Sequence, residues 1–244
     1  MISRRKLITT DNYNDKKSSM KSDISKESDL EIYRTTEKDF DVLTDISRKC
    51  FPNQTRWQAP KSFGRKWWNL MVNSDFCEVW TCASEGKVIA YCAVIYDRLK
   101  YEQTWQNFRP GLGSKLYILA ARPNIIIEKV VECLKKCFVK KDESSNINHA
   151  EQQEKMKKLL SQKVPWLGPV AVSPDMQCKG MATKICQIFF DRIAKSGYKE
   201  VWAYLRKNNF KSKGLTIKIG FEVVDEIEHL LFIKKTLNSD ETQN

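Results

Sequence analysis

The segment that most constrains the fold spans residues 170–198, VAVSPDMQCKGMATKICQIFFDRIAKSGY. A β-branched apolar run enters a short turn at Gln177–Ala182, which opens directly into an amphipathic stretch, Ala182–Ser196, closed by Gly197. Such runs suit a half-buried strand, and apolar spacing of three and four suits a helix with glycine just past its end. A helix start leaves N–H groups unpaired and carries a partial positive charge. Gly180 and Ala182 leave room beside that backbone, and Lys179 adds a formal charge. Gln177, Cys178, Lys179, Gly180, Met181 and Ala182 thus form a candidate anion cradle, suited to a diphosphate. Neither GxxxxGK[ST] nor GxGxxG is present, and Gly111-Leu112-Gly113 stands alone. An ordinary strand–turn–helix connection fits the same residues.

The spacing predicts further elements. LEIYR (30–34) reads as a strand, and Lys38–Cys50 as a helix capped by Thr36. Lys61–Val72 reads as a second helix. CEVWTCAS (77–84) and KVIAYCAVIY (87–96) read as a hairpin about Glu85-Gly86. After the 166–173 strand and the helix behind it come EVWAYLR (200–206), a helix over Lys211–Ile219 and two closing strands. Residues 98–163 interrupt this order with an amphipathic helix over 124–139 and a flexible segment near 141–153. The pattern predicts a mixed α/β (α+β) sheet flanked by helices, with a helical insertion between the third and fourth strands. Residues 1–28 read as a disordered polar tail, 29–237 as one domain and 238–244 as a second polar tail.

The 42 Lys and Arg against 30 Asp and Glu give a net charge of +12, and the insertion holds 14 basic and 7 acidic residues. That excludes an acidic disordered chain. It fits a phosphate-bearing partner, an anionic membrane face, nonspecific nucleic acid or a merely solvated surface. No apolar run approaches the ~20 residues of a membrane span, and the first residues hold no apolar signal core, so a cytoplasmic location is expected. Eight cysteines lack any CxxC, and neither His149 nor His229 stands at ligand spacing from one, so no metal site is expected and reduced thiols packed as small hydrophobes are.

Val170-Ala171-Val172-Ser173-Pro174 followed by Q-x-x-G-x-A at 177–182 resembles the acetyl-CoA motif of the GNAT superfamily of N-acetyltransferases. A second motif follows in the same register: Asn209, Ser212, Leu215, Thr216, Lys218, Gly220 and Phe221. The resemblance is best over 166–221 and looser over 30–96. It implies a GNAT-like sheet whose two central strands splay to admit the pantetheine arm. Ala171 and Val172 would pair with that arm, and Gln177, Cys178, Lys179, Gly180, Met181, Ala182 and Thr183 would hold the diphosphate. Asn209 and Ser212 would touch the far side of acetyl-CoA, and an N–H near Val172 would serve the oxyanion. An amine would then attack the thioester directly.

The family's usual Tyr, which protonates the departing thiolate, is replaced here by Thr216. Tyr204 is the nearest alternative acid by sequence logic. Glu222, Asp97 and His229 are open as bases. Trp57, Trp67, Trp68 and Arg56 fall where the family places acceptor-side helices, as pocket lining or as core. The implied reaction is N-acetylation of a small-molecule amine, an amino sugar or its nucleotide-linked form. Protein lysine or N-terminal acetylation, a non-catalytic acyl-CoA-binding module and a nucleic-acid binder are the alternatives, the last disfavoured. The apolar helix 124–139 packs on the domain or forms a homodimer.

Overall fold

The computed structural model describes residues 25–27, 30–54, 56–121 and 145–237. Its strands are β1 (Ser25–Glu27), β2 (Leu30–Arg34), β3 (Cys77–Ser84), β4 (Lys87–Ile95), β5 (Trp166–Val172), β6 (Glu200–Arg206), β7 (Glu222–Ile227) and β8 (Leu230–Thr236). Its helices are α1 (Phe40–Cys50), α2 (Lys61–Val72), α3 (Arg98–Asn107), α4 (Leu112–Ala121), α5 (Ser145–Leu160), α6 (Met181–Lys195) and α7 (Phe210–Lys218). The strands make one sheet in the order β1-β2-β3-β4-β5-β6-β8-β7. Every pairing is antiparallel except β5 with β6.

The elements expected within the described residues form, and β1, whose Ser-Lys-Glu carries no apolar alternation, is a strand inside the stretch expected to be a disordered tail. Thr36 N–H donates to the Asp39 carboxylate at 2.8 Å, and a short 3₁₀ turn over Glu37–Asp39 precedes α1. The β3–β4 turn uses left-handed residues, Glu85 and Gly86, at φ 53° and 72°. Three described helices, α3, α4 and α5, lie between β4 and β5. The flexible segment expected near 141–153 is helical from Ser145 onward. The helix expected over 124–139, residues 141–144 and nearly all of both tails lie outside the described residues. His229, expected within a closing strand, sits in the turn between β7 and β8.

Alternation along the sheet sorts the core into two layers. Ile185, Cys186, Phe189, Phe190 and Ile193 form the buried stripe of α6 and pack with Cys92, Val94, Val201, Ala203 and Leu205 on one face. On the other, α1, α2 and α3 cover Tyr91, Ala171, Trp166, Trp202 and Phe232. Trp57, Trp67 and Trp68 belong to this second layer, at 5%, 2% and 1% exposure. Trp57 stacks on Trp68, Trp105 packs against Trp57 and edge-on against Trp67, and Trp68 meets Tyr91 edge-on. They are core, so they offer a ligand no stacking platform.

Candidate functional site

β5 and β6 meet at a single rung, Trp166 opposite Trp202, where Trp202 N–H also reaches Pro165 C=O at 2.9 Å. No further rung joins them among the described residues, and the strands part toward their C-terminal ends. Each is held from its far side instead. β6 pairs with β8 along its whole length, and β5 pairs with β4 as far as Ala90 opposite Val172. The result is a fork with backbone edges on both prongs.

One prong is shaped by a bulge. Leu167 faces Val94 and Val170 faces Cys92, so Gly168 and Pro169 together oppose Ala93. A Cβ on Gly168 would stand 3.0 Å from the Cβ and O of Ala93, which explains glycine there. Beyond the bulge, Ser173 N–H bonds Ile89 C=O at 2.7 Å. Antiparallel ladders alternate, so the groups of Ala171 are directed to β4, and those of Val170 and Val172 into the fork. Of the two residues that the resemblance nominated for backbone pairing, Val172 thus faces the slot and Ala171 faces its neighbour strand.

The turn after β5 is pinned from within. Gln177 Nε2 donates to Val172 C=O at 2.9 Å, and Cys50 Sγ donates to the same oxygen at 3.2 Å. The Gln177 side chain therefore anchors the loop rather than reaching outward. Burial pushes the Cys50 thiol up. Cys178 and Gly180 are left-handed, at φ 62° and 74°. No side chain caps α6, whose first i→i−4 bond runs from Lys184 N–H to Gly180 C=O. Among the described residues, nothing accepts from the amides of Cys178, Lys179, Gly180, Met181, Ala182 or Thr183. These six N–H groups, with exposed Lys179 beside them, are the free donors of an uncapped helix start. A Cβ on Gly180 would meet nothing within 4 Å.

The other nominated residues lie farther along. Asn209 caps α7, its Oδ1 accepting from Ser212 N–H at 3.2 Å. The Thr216 hydroxyl donates to Lys213 C=O, 3.0 Å away within the same helix. Tyr204, on β6 two residues past the rung, donates to Glu102 Oε1 at 2.7 Å, and burial pushes its phenol up to about 12. Of the base candidates, Asp97 caps α3 by accepting from Lys100 N–H at 2.9 Å, while Glu222 and His229 are exposed on the far hairpin. Sequence reasoning missed Gly168, Arg98 and Glu102. The i,i+4 spacing of the last two is visible in the chain, but their meeting with Tyr204 is not.

The fold is shared with solved structures of N-acetyltransferases, as the resemblance read from the sequence implied. Residues 147–230, the third of the chain that carries the fork, match the family described as FR47-like protein. Among solved structures it is similar to a protein assigned to the GNAT family of acetyltransferases from Desulfovibrio desulfuricans (7% identity, TM-score 0.52, covering 86% of this chain and 99% of that one). It is also similar to a ribosomal L7/L12 alpha-N-protein acetyltransferase in complex with coenzyme A (9% identity, TM-score 0.52, covering 89% and 99%). A Pyrococcus horikoshii protein is similar at 12% identity and TM-score 0.50, covering 86% and 99%. No curated protein matches the chain in sequence. Among the described residues, no helix is long and apolar enough to cross a membrane.

Proposed function

We propose that this protein is an N-acetyltransferase that moves the acetyl group of acetyl-CoA to a primary amine of a small molecule. The observation that carries the reading is the open fork beside six unpartnered amides. In this reading the amides of 178–183 and Lys179 hold the diphosphate, and Asn209 and Ser212 border it at the start of α7. The edge of β5 at Val170 pairs with the pantetheine amides. The Val172 N–H is the donor for the oxyanion that forms as the amine adds to the carbonyl. Most of the acceleration comes from holding amine and thioester together. Thr216 stands where the family's acid stands, but its hydroxyl is spent on Lys213, so solvent is the simplest proton source for the thiolate.

A small acceptor is favoured because α3 lies across the face of the fork opposite α6, meeting Tyr204 and Trp166, where an extended peptide would otherwise run. The buried tryptophans remove the main argument for a sugar ring, so the acceptor is assigned only as an amine. Calorimetry with acetyl-CoA, followed by CoA-thiol release across amines, amino sugars and peptides, tests the reading. Micromolar binding with amine-dependent release is expected. Binding without release would instead indicate an acyl-CoA-binding module, and absence of binding refutes the slot.

A further inference from the structure

Helix α3 brings a buried charge pair to the face of the fork opposite α6. Arg98 and Glu102, one turn apart, form an ion pair at 8% and 17% side-chain exposure. The Arg98 guanidinium stands 4.4 Å from the Tyr204 ring centre, 4.9 Å from that of Tyr101 and 5.9 Å from that of Trp166. Its Nε is buried without a hydrogen-bond partner among the described residues. Tyr204 closes the group by donating to Glu102. Its ring packs on Phe232, on the face away from α6, at the level where β6 has left β5. Withdrawing two ions from water is costly before their attraction is counted, and an apolar pair would fasten α3 equally well. Here that cost is incurred beside the fork, next to a half-buried phenol.

We propose that Glu102 receives the acceptor amine's proton through the Tyr204 hydroxyl, and that Arg98 is the positioning residue for Glu102. The inference rests on the transferase reading of the fork. As the amine nitrogen bonds to the thioester carbonyl carbon, the carbonyl π pair moves onto oxygen. The N–H proton passes to the Tyr204 oxygen while the phenol's own proton passes to Glu102, which becomes a neutral acid. Re-formation of the carbonyl expels the CoA thiolate, and Glu102 later returns its proton to solvent. The charged and titratable groups facing Glu102 are Arg98 and Tyr101 on its own helix, Tyr204 on β6 and Arg56 from the α1–α2 connection.

The test uses the full chain with acetyl-CoA and three probe amines, ethylenediamine, spermidine and glucosamine, following thiol release against pH. Y204F keeps both the ring and the ion pair, so it reports even if E102Q folds poorly. Both variants should lose on the order of 10²-fold or more in kcat/KM for the amine, with acetyl-CoA affinity unchanged and the acid limb of the pH–rate profile flattened. E102D should recover part of the rate. A Y204F enzyme with the parent's rate and profile overturns the proton route alone. A parent that binds acetyl-CoA yet releases no thiol with any probe overturns the route and the transferase reading together.

Discussion

Replacing Gly180 with alanine separates the cost of backbone conformation from the loss of a binding surface. At φ 74° a side chain adds about 1–2 kcal/mol of strain. The added methyl meets no protein atom within 4 Å, so overpacking adds nothing. In the proposed transferase reading, the space it enters is where the diphosphate would lie to reach the amides of 178–183. Each amide bond to a charged phosphate is worth about 1.5–3 kcal/mol, so losing one weakens binding roughly 10- to 150-fold. Gly86 is the matched control: its φ is 72° and its Cβ also meets nothing within 4 Å, but it sits in the β3–β4 turn. G86A and G180A should lower thermal stability alike, while only G180A weakens acetyl-CoA in titration calorimetry. Equal affinities in the two variants would refute the placement of the phosphates.

Two further outcomes follow from packing and burial. At Gly64, on α2, a Cβ would lie 2.5 Å from Cγ2 and Oγ1 of Thr44, whose hydroxyl already serves Phe40 C=O. Overpacking of about 1–3 kcal/mol should outweigh a helix-propensity gain of about 1 kcal/mol. G64A should therefore be less stable in urea and G64A/T44A should recover; a G64A protein as stable as the parent contradicts this. Tyr204 titrates near 10 when unfolded and about 12 when folded, so the unfolded chain releases its proton first. Its contribution is intact below pH 10 and drains away between 10 and 12. The fall in stability over that window should be shallower in Y204F, and an identical slope would sink the assignment.

The fold was largely legible because its signals are local. The stripe at 185, 186, 189, 190 and 193 fixes α6 and its face, and the β-branched hairpin fixes β3 and β4. The stretch from Ser145 was not, because its polar residues surround the helix and leave no clear apolar period. The candidate cradle at 177–182 was visible as a glycine at a strand–helix junction. Its inward half was hidden: nothing in the chain tells that Gln177 turns back onto Val172, or that residues 171 and 172 differ in which edge they present. That distinction comes from the bulge at Gly168 and Pro169, a property of two strands in register. The contact between Glu102 and Tyr204 spans 102 positions and exists only once the sheet has assembled.

With one rung between them, the two halves of the sheet are joined across the rear by α6, whose aromatic stripe rests on both. Slot width is thus governed from the rear of the molecule by Phe189 and Phe190, at 1% exposure each. A worn rivet would loosen the jaws without touching anything they grip, so cofactor affinity can drift through substitutions remote from every contact.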